Sequence, residues 1–514
     1  MAAGSVIERR GVRTAMRWAR AARSRTSRRS PGVSTLVCYC VFGSILCWSR
    51  LIGLNRSYWR DETFTVTTYV RGGPDEILFG TYIPNNHELF SLLAWATTSF
   101  LGDSEVTVRV WSVLPFILGV AVVSAWLHVR MGLLTAVLYM FFVTVSPLLL
   151  DLSRQARGYG LAFLAMSVVV VAALEADRTH RSWAIATFAA AGVVGTWTLP
   201  IFAIAFLATG VVLLVDASTR RRTALGLLGS MLAIALWYAP HIDGLLESSG
   251  QPHGERISRV GILIAPFEHL LVPLFIGGIP DFVPLSGGIE GWGSGETLET
   301  LVITAGSLLL FASSPLLRGP KTASVLCVGI VSTLLVIWLA RLFLVPRFVS
   351  YLAVPLLILL SSGIARIASG FGKRRPGVRD VIALTAVVLV TVVSTLAGAK
   401  ITRLPREAHK DVAALIRERA ASSTPIFAYM LHPDDLAFYL DRPLRAPGAS
   451  VAASRVCRSR GVVVLVTQPY TVEPARIPCL LRRGVDHVRL RQYTRGGEMN
   501  VWFVPPRDCT HPPC

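Results

Sequence analysis

Charged residues are scarce in this chain of 514 residues, and acidic side chains are scarcer than basic ones. Only 16% of the residues are charged and 53% are hydrophobic, whereas a soluble domain carries about 25% charged residues. A chain so poor in charge lacks the polar side chains that a large soluble domain places on its surface. The composition therefore excludes that class and predicts a membrane protein that crosses the bilayer many times.

The motifs of common soluble enzymes are absent as well. The sequence has no phosphate-binding GxxxxGK[ST] loop, no GxGxxG after a predicted strand and no HExxH pair. The cysteines do not have the spacing of a zinc site. Four of them fall in predicted spans, where they are packing residues: Cys38, Cys40, Cys47 and Cys327. Four fall in the tail, where an oxidising outer face permits disulfides in any of three pairings: Cys457, Cys479, Cys509 and Cys514.

The net charge of +20 does not indicate nucleic-acid binding, because it is concentrated at the two ends of the chain. Residues 1–33 hold nine Arg and one Glu, and residues 400–514 hold 18 Lys or Arg and 10 Asp or Glu, a net +8 in each segment. No platform of basic and aromatic residues accompanies this charge. An Arg-rich start before a long apolar run predicts a cytoplasmic N-terminus and a first helix that crosses outward. A signal peptide is the alternative, although no clear cleavage site follows the run.

The apolar runs predict about 11 transmembrane helices, since about 20 apolar residues cross a bilayer as helix. The predicted spans are 34–54, 106–128, 132–150, 159–176, 183–198, 200–216, 223–240, 297–316, 322–342, 348–366 and 380–398. The basic connections all lie on the inner face in this arrangement, as the positive-inside rule requires: they are 175–181, 216–222, 316–321 and 372–379. The segment 258–285 is left as interfacial or re-entrant.

Three domains follow from this topology. Residues 1–33 are a basic cytoplasmic tail, and residues 34–399 are a transmembrane domain whose first outer loop is 55–105. That loop contains NNHELFSLLAWATTSFLG, which we expect to form a helix lying in the membrane interface, because a full span would invert every later connection. Residues 400–514 mix one helical stretch with short apolar runs such as TPIFAYM and GVVVLVTQ, which predicts a small α/β domain outside the cytoplasm.

The first outer loop opens with YWRDET, in which Asp61 and Glu62 follow Tyr58 and Trp59. Two solvated acids at a helix start would favour the positive end of the helix dipole, which is the structural interpretation. The aromatic pair anchors this stretch at the headgroup level, where a partly desolvated carboxylate suits a general base. His87 begins the interfacial helix on the same membrane face.

Two further outer stretches are rich in arginine. SPLLLDLSRQARGYG places Arg154, Arg157 and Tyr159 at the outer end of the third span, and PRFVSYLAVP places Arg347 at the outer end of a later one. Arg154 and Arg157 share a helix face if the helix continues, and two guanidinium groups on one face suit a phosphate. Snorkelling of the arginines to lipid headgroups is the alternative.

The order and spacing of these stretches resemble the GT-C superfamily of polyprenyl-phosphate-dependent glycosyltransferases, over residues 34 to 366. The nearest branch is the bacterial one related to protein O-mannosyltransferases and to the lipid A aminoarabinose transferase. This resemblance implies a polyprenyl-phosphate-linked sugar donor, an envelope glycan, glycolipid or protein acceptor, and transfer with inversion at the outer face.

The resemblance also implies roles for individual residues. Asp61 matches the acid that acts on the acceptor, and Glu62 would support it or contact the sugar. Arg154, Arg157 and Arg347 would hold the donor phosphate, together with His87 and Tyr159 as substrate-binding residues. His87 stands where the family has a His-Pro-Pro stretch, but both prolines are absent. Relatives differ in metal use, and we predict no cofactor and no metal.

Two other functions remain open at this stage. A lipid-linked sugar transporter or flippase is the first alternative, although the sequence has no clear internal repeat and no charged residue at the centre of a predicted span. A non-catalytic envelope scaffold, with a tail that binds a partner, is the second. The sequence does not identify the sugar or the acceptor.

Overall fold

The computed structural model describes residues 33–80, 86–244, 274, 311–339, 346–371, 388, 392, 408–429, 433–441, 444, 463–467, 485–491 and 498–504. The chain divides between Ser44 and Ile45 into two compact units, and every contact described below lies within the second unit. Outside the described residues lie the four tail cysteines, the segment 258–285 apart from Leu274, residues 297–310 of the predicted span 297–316, and the predicted span 380–398 apart from residues 388 and 392.

Within the described residues, helices form at the predicted apolar runs, whereas the predicted number of about 11 transmembrane helices is not confirmed. In chain order these helices are α1 (Val33–Leu51), α5 (Glu105–Met131), α6 (Leu133–Val145), α7 (Pro147–Leu152), α8 (Tyr159–Thr179), α9 (Ser182–Thr198), α10 (Phe202–Val215), α11 (Arg220–Tyr238), α12 (Pro320–Leu339) and α13 (Ala353–Phe371). The helices between α1 and α5 belong to the loop 55–105 and are described below. A 3-10 helix, Pro346–Leu352, leads into α13.

Four helical segments among the described residues are long and apolar enough to cross a membrane: Glu105–Met131, Tyr159–Thr179, Arg220–Gly244 and Arg347–Ala368. Five shorter apolar helices accompany them. One side of α11 is an exposed apolar stripe. It consists of four leucines at helical spacing, each more than 60% exposed: Leu225, Leu228, Leu232 and Leu236. Such a stripe is unfavourable in water, and it assigns the protein to a membrane.

The first outer loop folds into three short helices and one longer one. These are α2 (Arg60–Phe64), which continues as a π-helical turn (Thr65–Val70), α3 (Gly73–Phe79) and α4 (Glu88–Leu101). The helix predicted in NNHELFSLLAWATTSFLG is therefore present. Ser104 ends the loop, because its hydroxyl accepts the backbone N–H of Thr107 and caps α5.

The segment between α7 and α8 is not helical, in agreement with the gap between the predicted spans 132–150 and 159–176. The helix ends at Leu152, and the chain re-enters a helix only at Tyr159. Arg154 and Arg157 therefore do not share a helix face, because the continuing helix that this would require is absent. The break allows close packing, since a side chain at Gly160 would overlap the backbone carbonyl of Ser112.

The C-terminal part contains two helices and a small four-stranded sheet. Its helices are α14 (His409–Arg419) and α15 (Pro433–Leu440), and its strands are β1 (Ile426–Tyr429), β2 (Val463–Thr467), β3 (Asp486–Arg491) and β4 (Glu498–Val504). The strand order is β1-β2-β4-β3, with β1 parallel to β2 and the other pairs antiparallel. Val412 and Ile416 of α14 pack on Val464 and Val466 of β2, which closes the core of the domain.

Candidate active site

The side chain of Glu62 stabilises the loop 55–105. Its side chain is 2% exposed, and its carboxylate accepts the backbone N–H of Trp59 at 3.1 Å, which starts α2. Both oxygens bind the guanidinium of Arg109, at 2.9 and 2.8 Å, and Oε1 also accepts the backbone N–H of Ala156. A carboxylate with four donors has no lone pair left for a substrate proton. The geometry therefore favours the supporting role for Glu62 over a catalytic one.

Arg109 was not identified from the sequence, although it holds the site together. All five of its N–H groups are used: three bond to the carbonyls of Leu54, Arg56 and Ser57, and two to Glu62. The turn that leads into YWRDET is thus fixed by one side chain of α5. A signal was present, because an arginine inside the apolar sequence of a membrane helix usually has a specific partner.

Asp61 lies one residue before Glu62 but faces a different set of groups. Its carboxylate Oδ2 is 3.0 Å from Nη2 of Arg347, and the side chains are 11% and 8% exposed. The guanidinium of Arg347 also lies over the ring of Trp59, 5.1 Å from its centroid. The Nε of Arg347 is buried without a hydrogen-bond partner among the described residues. The outer loop and the start of the last described span thus meet at a buried ion pair that retains one unused donor.

Arg157 and Arg154 form hydrogen bonds with different parts of the structure. Arg157 is fully buried, and its Nη1 donates to the backbone carbonyl of Asp61 and to the hydroxyl of Thr65, both at 3.1 Å. Arg154 donates instead to the backbone carbonyls of Leu150 and Ile52, at 3.2 and 2.9 Å. Arg157 therefore belongs to the group around Asp61, whereas the described bonds of Arg154 tie the end of α7 to the end of α1.

His87 lies beside this group, at the start of α4. Its ring is 1% exposed and meets the ring of Tyr159 edge to face, with centroids 5.0 Å apart. Burial, and then the positive charges of Arg157 and Arg347, lower the pKa of His87 well below its usual range, so the imidazole is neutral. Neither ring nitrogen has a hydrogen-bond partner among the described residues. A buried polar group of this kind usually has a partner, so its ring is suited to contact a bound ligand.

Glu88, the next residue, faces away toward α11. Its carboxylate accepts the indole N–H of Trp237, and its other oxygen is 3.3 Å from Nε2 of His241. Burial raises the pKa of Glu88 to about 7. The pair Glu88 and His241 therefore links the interfacial helix to the end of α11.

The C-terminal helices contact the same loop. The hydroxyl of Tyr439, on α15, accepts the backbone N–H of Tyr58, and the rings of Tyr58 and Phe438 meet edge to face at 5.8 Å. Lys410 of α14 donates to the carbonyl of Asn55 at 2.9 Å. The tail domain thus holds the residues that immediately precede Asp61, a contact that the sequence did not reveal.

Metal binding has no built site in the part of the chain that the structure describes. No group of three or more His, Cys, Asp or Glu side chains is arranged to hold an ion there. Asp61 and Glu62 are engaged with arginines, and Glu88 with Trp237 and His241.

The predicted site residues therefore fall into two sets. Asp61, Arg157 and Arg347 come together from three separate segments, with His87 and Tyr159 beside Arg157. Glu62 and Arg154 lie next to them in sequence but make structural contacts. The arrangement offers a buried acid, two arginines and a neutral imidazole at one point of the outer loop, which suits an anionic substrate with a group to deprotonate.

The fold is shared with known membrane-protein structures. The chain is similar to the crystal structure of ArnT from Cupriavidus metallidurans in the apo state, with 14% sequence identity and a TM-score of 0.54, over 91% of this chain and 97% of that one. The structure of the same protein bound to undecaprenyl phosphate matches with 14% identity and a TM-score of 0.51, over 92% of this chain and 98% of that one. At this identity the likeness shows a shared fold. No protein-family model matches the chain, and no curated protein matches it by sequence.

Proposed function

We propose that this protein is a membrane glycosyltransferase that moves a sugar from a polyprenyl-phosphate donor to a cell-envelope acceptor, with inversion at the anomeric carbon. The buried ion pair between Asp61 and Arg347 carries the proposal. It brings an acid and a phosphate-binding side chain together from segments far apart in the chain. The acceptor is a glycan, a glycolipid or a protein.

The charges around Asp61 support an anionic donor. Arg157 and Arg347 are both buried, and they contact Asp61 at its backbone carbonyl and at its carboxylate respectively. A donor phosphate would accept hydrogen bonds from these guanidinium groups. The unused N–H of Arg347 and the neutral ring of His87 would donate to it or to the sugar. That ArnT, a protein of the same fold, binds undecaprenyl phosphate is consistent with such a donor.

The proposed chemistry is a single displacement. Asp61 takes the proton of the acceptor nucleophile while that nucleophile attacks the anomeric carbon. The bond between that carbon and the phosphate oxygen breaks on the opposite face, and the lipid phosphate leaves with an added negative charge. Arg157 and Arg347 would stabilise this charge, an electrostatic contribution of about 3–4 kcal/mol when one such donor is removed. No metal or other cofactor takes part in the proposal.

The proposed topology places this site outside. About 11 transmembrane helices, a cytoplasmic N-terminus and a C-terminal domain on the outer face would put Asp61, Arg157 and Arg347 in the outer leaflet, where a lipid-linked donor is delivered. The acidic loop 55–105 and the basic connections 175–181 and 216–222 support this orientation.

The test is transfer by the purified protein. We expect incubation with polyprenyl-phosphate-linked sugars to produce a glycosylated acceptor of inverted anomeric configuration and free polyprenyl phosphate. The lipid-linked sugar that accumulates in cells without the protein should identify the donor to use. Movement of labelled lipid across proteoliposomes, with no covalent transfer from any donor, would instead support a flippase.

A further inference from the structure

A second cleft lies at the other end of the helix that begins at Tyr159. It has a volume of about 760 Å³ and is formed by the ends of α5 and α8 and the start of α9. Glu175, in its wall, follows Tyr159 by sixteen residues, which is about 24 Å along a helix. The cleft is therefore separated from Asp61 by most of a membrane thickness and is not part of the site described above.

The polar wall of this cleft is preorganised by Glu175. One carboxylate oxygen accepts Nε and Nη2 of Arg130, at 2.9 and 2.7 Å, and the indole N–H of Trp126 at 2.9 Å. The other oxygen accepts Nε and Nη2 of Arg178, at 3.3 and 2.8 Å. Two guanidinium groups are thus held side by side. Neither has an acceptor for its Nη1 among the described residues, so each keeps donors for a ligand.

A third arginine leaves the cleft strongly positive. Arg181 is exposed at the start of α9, and no described residue forms an ion pair with it. Three arginines against the single carboxylate of Glu175 give the lining a net charge of +2. The charge is therefore in excess of what the internal ion pairs neutralise.

Most of the remaining lining is apolar. Val129 is 71% exposed and Trp183 is 53% exposed, and Ala125 and Val171 also line the cleft. Indole rings at the headgroup level anchor membrane proteins, because one edge is polar and the rest is apolar. An occupant of this cleft would therefore meet a cationic end and an apolar end.

We propose that the cleft binds an anionic phospholipid of the leaflet opposite to the proposed active site. The phosphate would accept from Arg130, Arg178 and Arg181, and the start of the acyl chains would lie on Val129 and Trp183. Basic pockets between transmembrane helices on the cytoplasmic side bind lipid headgroups in this way. The size of the cleft is that of a small-molecule site. A headgroup with a choline would be disfavoured, because it brings a positive charge to a positive lining.

This inference does not depend on the proposed enzymatic activity. Binding to the cleft is measured without any sugar donor, so the transfer reaction can fail while the lipid binds. Conversely, the protein can transfer the sugar even if no lipid binds in the cleft.

The test uses the full-length purified protein, stripped of lipid in detergent and titrated with phosphatidylglycerol. Native mass spectrometry counts the bound lipid and gives its dissociation constant. We expect Arg181→Gln to weaken binding about fivefold, the effect of one basic residue near an anionic headgroup. Arg221→Gln is the matched control, since Arg221 is also exposed on a basic connection but does not line the cleft. That variant should bind as the wild type does.

Three results would overturn the proposal. Phosphatidylcholine that binds as tightly as phosphatidylglycerol would show that charge is not recognised. Equal losses in Arg181→Gln and Arg221→Gln would indicate a general surface attraction rather than this cleft. Inorganic phosphate that competes at the same concentration as the lipid would show that the apolar wall contributes nothing. Arg130→Gln provides a second variant, with folding checked by its thermal transition, and it should weaken binding at least as much as Arg181→Gln.

Discussion

Replacement of Glu62 by glutamine tests whether Glu62 has a structural role, while the adjacent Asp61 has the catalytic one. The Glu62→Gln variant keeps one carbonyl oxygen but places an NH₂ group where the other oxygen accepts from Arg109 and from the backbone of Trp59. The new NH₂ group then faces the N–H groups of Arg109 and Trp59 in a part of the loop that is almost fully buried, where it cannot accept from them. The guanidinium of Arg109 also loses its counter-charge, while its side chain remains 5% exposed.

The expected loss in the free energy of unfolding follows from this burial. Removal of one partner of a buried ion pair costs about 3–5 kcal/mol, because the other charge is left uncompensated. The bonds from Arg109 to the carbonyls of Leu54, Arg56 and Ser57 remain, which places the expected loss near the lower end of that range. We expect the thermal transition of the purified protein to fall by several degrees, and transfer activity to fall only in proportion to the unfolded fraction.

The matched control is Glu105→Gln. Glu105 pairs with Lys410 at 2.7 Å, but the lysine side chain is 43% exposed, so the loss should stay below about 1 kcal/mol. Thermal unfolding followed by tryptophan fluorescence and transfer activity measured well below the transition separate the two effects. If the Glu62→Gln variant unfolds at the same temperature as the wild type but loses most of its activity, Glu62 takes part in the chemistry. The structural role assigned to it would then be wrong.

Three further predictions concern the surroundings of Asp61. Tyr439→Phe removes the acceptor of the backbone N–H of Tyr58, the first residue of YWRDET, so kcat should fall about tenfold with little change in the KM of the donor; an unchanged kcat would leave the C-terminal helices without a positioning role. Arg157→Gln should reduce transfer far more than Arg154→Gln, which should mainly lower the thermal transition; equal kinetic losses in two stable variants would restore Arg154 to the phosphate site. Glu88 has a folded-state pKa of about 7 against an ordinary value of 4.5, so its contribution to stability is present below pH 4.5 and is lost as the pH rises through 7. The unfolding free energy of Glu88→Gln should therefore depend less on pH between 5 and 8, and His241→Gln shows whether the imidazole shares in that dependence.

The membrane helices and the small tail domain were predictable, because both depend on patterns within a short segment. Runs of about 20 apolar residues, basic connections and alternating short strands are local signals. The helix that begins after His87 was visible for the same reason. The interruption of the predicted span 132–150 at Ser146, between α6 and α7, was not identified, because apolar residues continue on both sides of it.

The acids and arginines of the site were predictable as residue types, but their pairing was not. Asp61 and Arg347 are separated by most of the chain, and only the fold places them at 3.0 Å. Glu62 and Asp61 look equivalent in YWRDET, yet α2 turns one toward Arg109 and the other toward Arg347. The partners of Arg109 are largely backbone carbonyls, which leave no trace in a sequence.

The central claim, that Asp61 is the reactive acid of a glycosyltransferase, is tested most directly by the Asp61→Asn variant. The measurement is transfer of sugar from a polyprenyl-phosphate donor by purified, folded protein. Asp103→Asn serves as the control, since Asp103 lies on the same loop and pairs with Arg71, but in an exposed position. We predict that Asp61→Asn lowers kcat by a factor of about 10²–10⁴, the usual contribution of a general base, and that Asp103→Asn retains wild-type activity. Full activity in folded Asp61→Asn would contradict the account.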